Sequence, residues 1–154
     1  MWDGSLLLTD LTKATLRKAG TTLLRFPGGS TSDEYCWDGN YASMRAVYGE
    51  DRSVMNQPWA VDTDEFIAMC RDVGAEPMIT VNFGLARYGS VAEATGLAAR
   101  WVKYCNVDHD YNVRYWEVGN EPEVGGYGDF LTNHYPGQTE YRGRYKTISE
   151  AMVA

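Results

Sequence analysis

The segment that decides how this chain is interpreted is Arg114-Tyr-Trp-Glu-Val-Gly-Asn-Glu-Pro-Glu123. Its first half is rich in aromatic and β-branched residues, which favour extended backbone and predict a strand. The strand must stop by Pro122, because proline cannot donate a hydrogen bond to a sheet ladder. Asn120 and Glu121 therefore lie at the end of a strand. In a parallel α/β sheet this is the edge where reactive side chains collect, although an isolated Asn-Glu pair is more often an ordinary solvated loop.

Helices and strands alternate along the whole chain. Two more strands are predicted at residues 21–26 and 77–83, both nearly continuous apolar runs of the kind found in parallel sheets. Capping residues predict the helices: Asp10 before residues 11–19, Asp62 before a helix that stops at Gly74, Ser90 before one that runs to about Tyr104, and Thr139 before the last. The order α, β, α, β, α, β, α predicts one α/β domain over residues 1–154 with a parallel sheet.

Each predicted strand carries a polar exception at or near its carboxyl end. These exceptions are Arg25, Asn82 and the pair Asn120-Glu121. Because the carboxyl ends of parallel strands meet at one edge of the sheet, we expect these side chains to lie close together. A cation, two amides and a carboxyl group suit a hydroxyl-rich ligand, so Arg25, Asn82 and Asn120 are candidate substrate-binding residues for a carbohydrate.

The segment from Pro27 to Val61 has no clear periodicity but is rich in large rings. They are Tyr35, Trp37, Tyr41, Tyr48 and Trp59. This aromatic content argues against disorder. The rings either stack on the apolar faces of a sugar or fasten the loop to its own scaffold, and burial is the more common outcome for any single ring.

Composition narrows the class of protein. With 154 residues, 44% of them hydrophobic, the chain can bury one sizeable core. A net charge of −7 argues against a nucleic-acid or anionic-membrane partner, and no apolar run approaches a membrane span. Cys36, Cys70 and Cys105 are widely spaced and expected to be reduced and structural, and neither histidine lies in a ligand-spaced motif. We therefore expect no metal and no cofactor, and since no signal peptide is visible the localisation stays open.

Four segments together resemble the retaining glycoside hydrolases of clan A, and among them most closely the α-L-arabinofuranosidases. The segments are Leu24-Arg-Phe-Pro-Gly-Gly-Ser30, Glu34-Tyr-Cys-Trp-Asp-Gly39, Gly74-Ala-Glu-Pro-Met-Ile-Thr-Val-Asn82 and Tyr115-Trp-Glu-Val-Gly-Asn-Glu121. They follow the family's order and cover most of the chain, so their combination is specific although each segment alone is weak. The resemblance implies an eight-stranded (β/α) barrel, a TIM barrel, of which this chain supplies about strands 2 to 4 with flanking helices.

The same resemblance implies roles for single residues. Glu121 matches the general acid/base, and Asn120 matches a residue that hydrogen-bonds a substrate hydroxyl beside the cleaved bond. Arg25 is placed near the catalytic nucleophile and the substrate. Ser30 stands where related enzymes often have Asn, which leaves the exact sugar open, and Trp37 is expected to help line the pocket.

A retaining glycosidase needs two carboxylates, one that protonates the leaving oxygen and one that attacks the anomeric carbon. The resemblance places the nucleophile on the seventh strand, whereas this sequence stops at the fourth helix, and a whole barrel takes about 250 residues. We therefore expect an internal piece of an enzyme that acts on arabinose-containing plant polysaccharides or related glycans, inactive without the missing C-terminal half of the barrel. The alternative is a non-catalytic half barrel that binds sugar or self-associates through open sheet edges.

Overall fold

The computed structural model describes residues 3–39, 60–88, 90–121 and 138–153 of the chain. Three strands lie in these ranges: β1 Leu23–Phe26, β2 Glu76–Val81 and β3 Tyr115–Val118. The α-helices are α1 Gly4–Leu7, α2 Asp10–Lys18, α3 Thr63–Val73, α4 Gly84–Tyr88, α5 Val91–Lys103 and α6 Gln138–Met152. A 3-10 helix spans Gly29–Asp33, and a π-helical segment, Tyr104–Asp108, continues α5.

The strands form one parallel sheet in the order β1-β2-β3. Arg25 on β1 is in register with Met78 on β2, which is in register with Tyr115 on β3. The predicted alternation and the parallel sheet are therefore confirmed. The connections that enter β1 and β2 are short, with four and two residues after the preceding helices.

One face of the sheet packs against α3 and α5. Phe26 and Ile79 are in register on this face and fully buried. Phe26 stacks on Phe66 of α3, with ring centroids 4.7 Å apart, and meets Trp101 of α5 edge-on at 6.3 Å. The hydrophobic core thus lies between the sheet and these two helices, where the burial of apolar surface, large rings included, stabilises the fold.

Local sequence signals account for α3. Asp62 and Glu65 form a complete capping box, because each side chain accepts a hydrogen bond from the other residue's backbone N–H. The helix ends at Gly74, whose φ of 76° lies in the left-handed region that favours glycine. The predicted apolar stripe of α3 is buried, namely Phe66, Ile67, Cys70 and Val73.

The predicted stripe of α5 is buried as well, with Ser90 as the N-cap. The Ser90 side chain accepts a hydrogen bond from the backbone N–H of Glu93. The buried residues are Ala94, Leu97, Ala98, Trp101 and Cys105. The last of these lies in the π-helical segment, so the buried stripe continues two residues beyond the end of the regular α-helix at Lys103.

Two predicted helix caps are wrong. Thr9, not Asp10, caps α2: its hydroxyl accepts from the backbone N–H of Thr12, which leaves Asp10 in the first turn as a favourable charge at the helix N-terminus. Thr139 is the second residue of α6 instead of its cap, because the helix already begins at Gln138. In the stripe predicted for α6, Tyr145 is 45% exposed, whereas Ile148 is buried.

The cysteines belong to the packed interior. All three are buried and free, and burial raises the pKa of the Cys70 and Cys105 thiols to about 12. Thiols in that state are poor nucleophiles and poor metal ligands. Within the described residues, no cluster of three His, Cys, Asp or Glu side chains could hold a metal ion, and no helix is long and apolar enough to cross a membrane.

Candidate active site

The carboxyl ends of β1, β2 and β3, called the rim below, bring the predicted polar residues together. Arg25 is the penultimate residue of β1, Asn82 directly follows β2, and Asn120 and Glu121 follow β3 by two and three residues. Because the three strands pair in parallel, their carboxyl ends lie together, and all four residues are at the same edge of the sheet. The placement of these residues at one edge, expected from the strand pattern alone, is therefore observed.

Arg25 is held by two partners on β3 and in the turn after it. Its Nε donates to Oε2 of Glu117 at 2.6 Å, and its Nη2 lies 2.5 Å from the same oxygen. The Nη2 group also donates to Oδ1 of Asn120 at 3.1 Å. Arg25 thus has the carboxylate partner expected of a cation that is only 30% exposed, and its guanidinium orients the Asn120 amide.

These contacts lie on the sheet face opposite Phe26 and Ile79, called the Arg25 face below. Side chains alternate between faces along a strand, so Arg25 and Phe26 point to opposite sides. Thr80 on β2 points to the Arg25 face and donates through Oγ1 to Oε2 of Glu117 at 2.8 Å. One carboxylate oxygen therefore receives hydrogen bonds from both β1 and β2.

Glu121 lies exposed beside an open cleft of about 500 Å³. The cleft is lined by Arg25, Met78, Trp116, Glu117, Val118, Gly119, Asn120, Glu121, Tyr141 and Tyr145. It therefore extends from the Arg25 face around β3 to the first turns of α6. The cleft is thus bordered by polar groups that could hold a hydroxyl and by rings that could contact the apolar side of a sugar.

The backbone of the turn after β3 is unusual. Gly119 has φ of 77° and Glu121 has φ of 44°, both in the left-handed region. A Cβ atom at Gly119 would lie 2.6 Å from Cβ of Phe83, so only glycine fits this approach. A left-handed non-glycine residue such as Glu121 costs free energy and persists where its surroundings hold it, which is typical of functional sites.

Asp33, at the end of the 3-10 helix, contacts this turn directly. Its Oδ1 accepts from the backbone N–H of Asn120 at 3.2 Å and, less closely, from that of Phe83 at 3.4 Å. Burial raises the pKa of the Asp33 carboxyl to about 7, an effect that these two backbone donors and the nearby Arg87 only partly offset. One side chain thus joins the segments that follow all three strands.

Asn82 reaches the rim but is only 2% exposed. Its Nδ2 donates to the carbonyl oxygen of Tyr35 at 3.1 Å, and its Oδ1 accepts from the backbone N–H of Leu85 at 3.0 Å. These bonds tie the loop after β1 to the start of α4. Direct contact between Asn82 and a substrate stays a prediction, since the amide is engaged in holding the backbone.

The aromatic residues after β1 that the structure describes pack on the protein itself. Trp37 donates through Nε1 to the carbonyl oxygen of Leu97 at 2.9 Å, and its ring stacks on Trp101 at 5.8 Å between centroids. The ring thus contacts α5 and is not one of the residues that line the cleft described above, so its predicted place in the pocket stays a prediction. Tyr35 is buried, and Tyr41, Tyr48 and Trp59 lie outside the described residues.

Ser30 lies near the start of the 3-10 helix and is exposed. It is three residues from Asp33, on the segment that leads from β1 to the rim. Its predicted role in substrate binding therefore stays compatible with its exposure.

Two residues of the rim, Glu117 and Asp33, are absent from the candidates that the sequence suggests. Glu117 could have been found from the sequence. A charged residue within an aromatic strand requires a partner, and the alternation of side chains along a strand fixes the face on which Glu117 lies. Asp33 carries no comparable signal. Its partners lie 50 and 87 residues further along the chain, and nothing in the local pattern indicates them.

Solved structures share this architecture. A crystal structure described as that of an arabinofuranosidase superimposes with a TM-score of 0.59 and 25% identity, over 92% of this chain and 31% of that one. An α-L-arabinofuranosidase from Thermotoga maritima in an arabinose complex gives a TM-score of 0.58 at 24% identity, over 92% and 30%. The chain is thus an α/β unit that corresponds to part of a (β/α) barrel of the retaining, clan A glycoside hydrolases.

Sequence comparison narrows the class to one family. The family model for the alpha-L-arabinofuranosidase 1 domain matches residues 15–154, so the chain belongs to the α-L-arabinofuranosidase family. A probable α-L-arabinofuranosidase C of Aspergillus terreus is 32% identical over 123 residues, which are 69% of this chain and 23% of that protein. An intracellular exo-α-L-arabinofuranosidase of Bacteroides ovatus is 30% identical over 136 residues, 73% and 24% respectively. The chain spans about a quarter of the length of these curated relatives.

Proposed function

We propose that this chain supplies the general acid/base of an α-L-arabinofuranosidase, and that Glu121 is that residue. In the first step of a retaining reaction the acid protonates the leaving oxygen while a second carboxylate attacks the anomeric carbon; in the second step it takes a proton from water. The observation that carries the proposal is the convergence of Arg25, Asn120 and Glu121 on one open cleft at the carboxyl ends of parallel strands.

The arrangement of Asn120 supports a substrate contact next to Glu121. Its Oδ1 accepts from Arg25, so its NH₂ group is the part of the amide that can offer a donor to a sugar hydroxyl. Asn120 and Glu121 are consecutive, and the backbone between them is constrained by Gly119 and Asp33. A hydroxyl held by Asn120 would therefore have a defined position relative to the Glu121 carboxyl group.

The nucleophile is proposed to lie in a part of the full-length protein outside this chain. Among the residues that the structure describes, Glu117 is the other carboxylate that lines the cleft, but Arg25 and Thr80 both donate to its Oε2, which assigns it to holding Arg25. Arg25 in turn supplies the positive charge beside which an attacking carboxylate would be stabilised. On this proposal the isolated chain has no glycosidase activity.

The proposed substrates are glycans that carry α-L-arabinofuranosyl groups, including arabinose-containing plant polysaccharides. The names of the relatives support this class of sugar, and the mixture of polar groups and tyrosine rings around the cleft suits it. Ser30 is proposed as a further contact at the rim, on the side of β1.

The proposal is tested with Glu121→Gln in the full-length protein, assayed on aryl α-L-arabinofuranosides whose leaving groups differ in acidity. Removal of a general acid should slow cleavage of poor leaving groups by about 10² to 10⁴ but spare formation of the glycosyl-enzyme from activated ones, because those need little proton donation. Glu150→Gln, at an exposed position near the end of α6, is the matched control and should leave both rates unchanged. Equal loss on both substrate types would refute the role of Glu121.

A further inference from the structure

The turn that presents Glu121 depends on contacts from distant segments. Gly119 donates its backbone N–H to the carbonyl oxygen of Val81 at 3.0 Å, which extends the pairing of β2 and β3 by one residue. Beyond that point the next backbone donor, Asn120 N–H, bonds to the Asp33 side chain at 3.2 Å. Asp33 is therefore the anchor of the backbone immediately before Glu121.

The packing around this bond leaves little freedom. A Cβ placed on Gly119 would lie 3.2 Å from Oδ1 of Asp33 and 2.6 Å from Cβ of Phe83, so the backbone of the turn is closely packed against both residues. Phe83 also donates its backbone N–H to Oδ1 of Asp33 at 3.4 Å. The carboxyl group thus joins the end of β2 to the turn after β3, and it does so from the segment that follows β1.

The conformation of Glu121 makes such an anchor necessary. With φ of 44° the residue occupies a region that non-glycine residues avoid, because the Cβ atom crowds the backbone there. If the preceding peptide were released, the backbone would relax towards an ordinary conformation, and the carboxyl group of Glu121 would move relative to Asn120 and Arg25. A displacement of about 1 Å at a catalytic group is enough to cost about 10²-fold in rate.

We propose that Asp33 is the positioning residue of the acid/base: by accepting the hydrogen bond of the Asn120 backbone N–H, it holds Glu121 over the cleft and the Asn120 amide against Arg25. This assignment rests on the proposed role of Glu121. Asp33 itself transfers no proton in it, and the feature that matters is a hydrogen-bond acceptor at the position of Oδ1. An asparagine offers the same acceptor without the charge, whereas an alanine offers none.

The test compares Asp33→Asn and Asp33→Ala in the full-length protein. Asp33→Ala should lower kcat on poor leaving groups by about 10- to 100-fold with little change in KM, because the acid is misplaced while most sugar contacts persist. The loss on activated aryl arabinofuranosides should be smaller. Asp33→Asn should restore kcat to within about threefold of the wild type, since the acceptor remains. The control is Asp72→Ala, which should leave kcat unchanged. Asp72 pairs with Lys13 and lies near the C-terminal end of α3.

Amide hydrogen exchange at Asn120 provides a readout that is independent of the chemistry. Exchange should accelerate at least about tenfold in Asp33→Ala and stay near the wild-type rate in Asp33→Asn, because only the former loses the acceptor. An unchanged kcat in folded Asp33→Ala, or an equal loss in both Asp33 variants, would overturn the proposal. If Glu121→Gln itself shows no leaving-group dependence, the role of Glu121 fails and the catalytic part of this inference fails with it, while the exchange rate still decides whether Asp33 anchors the turn.

Should Asp33→Ala fail to fold, Asp33→Asn and Asp33→Ser replace it as the informative pair. Serine has an oxygen but a shorter side chain, so it should reach the Asn120 N–H less well and give an intermediate kcat and an intermediate exchange rate. An order of activity other than wild type, Asn, then Ser would contradict a role that depends on the acceptor position.

Discussion

Nη2 of Arg25 and Oε2 of Glu117 lie 2.5 Å apart, although their strands β1 and β3 do not pair with each other. The two side chains meet across β2, where Thr80 donates to the same carboxylate oxygen. A single carboxylate therefore links all three strands at the level where the cleft opens. In a (β/α) barrel the face opposite the helices is the interior, and active sites lie at the carboxyl ends of the strands. Arg25 and Glu117, each the penultimate residue of its strand, therefore lie at the end of the interior where barrel enzymes build their sites.

Glu117→Gln should destabilise the full-length protein by about 1 kcal/mol, between the values typical of exposed and of buried ion pairs, because both partners are partly exposed. It should also lower kcat, since Arg25 loses the carboxylate that orients it. The measurement is urea denaturation combined with an aryl arabinofuranoside assay. Glu76→Gln is the matched control. The ion pair of Glu76 with Arg114 lies at the opposite end of the sheet, and losing it should leave the urea midpoint and kcat unchanged.

Gly119→Ala should lower the free energy of unfolding by about 3 kcal/mol, because alanine is strained at φ of 77° and its Cβ would overlap Cβ of Phe83. Gly74→Ala separates the two effects: Gly74 has φ of 76° but no heavy atom within 4 Å of the added Cβ, so about 1 kcal/mol of backbone strain is expected. Denaturation of both variants measures the difference. Equal destabilisation would show that the turn adjusts, and activity should then survive in Gly119→Ala.

Asp33 should make the protein less stable as pH rises from about 4 to about 7. Burial raises the pKa of the folded carboxyl to about 7 against 3.8 ordinarily, so in this window the folded state keeps a proton that the unfolded state has lost. The contribution is complete below the unfolded pKa and lost above the folded one. Asp33→Asn removes this titration, and the free energy of unfolding of the wild type minus that of the variant should fall between pH 4 and pH 7.5.

Asp72→Asn is the control for this pH dependence, with the opposite sign. The Lys13 ammonium holds the pKa of the Asp72 carboxyl below its usual range, so its stabilisation is present above pH 3.8 and lost only as pH falls further. The difference between wild type and Asp72→Asn should therefore be flat from pH 5 to 7.5. A flat difference for Asp33→Asn as well would contradict the raised pKa of Asp33.

The 154-residue chain by itself is expected to self-associate. Leu23 and Tyr115 lie on the Arg25 face with 42% and 44% of their surface exposed. Among the described residues β1 and β3 are the outer strands of the sheet, and an outer strand offers hydrogen-bonding groups to a second chain. Analytical ultracentrifugation should show oligomers, which Leu23→Lys combined with Tyr115→Lys shifts towards monomer. Leu11→Lys, on an exposed position of α2, should not. A stable monomer that hydrolyses arabinofuranosides would refute both this expectation and the assignment of the nucleophile to another part of the protein.

Sequence patterns alone determined the three strands and the four longer helices in their order, the buried stripes of α3 and α5, and the meeting of Arg25 with Asn120-Glu121, whereas the short helices α1 and α4 were not predicted. These features follow from periodicity, capping boxes and the geometry of parallel strands, all of which act over a few residues or apply to every such sheet. The capping residue of α2 was misplaced by one position, since neighbouring polar residues compete for the same role, and α6 begins one residue before its predicted cap Thr139.

Only the tertiary structure decided which partners the rim residues have. Glu117 meets Arg25 across 92 positions of sequence and Asp33 meets Asn120 across 87, whereas the ring of Trp37 packs on α5, 60 positions from its hydrogen-bond partner Leu97. A charged side chain in the sequence predicts an ion-pair partner and an aromatic one predicts burial, but several segments of the chain could supply the partner or the packing surface. Which one does depends on how the strands and helices pack against each other, because those distances arise only when the core between sheet and helices has formed.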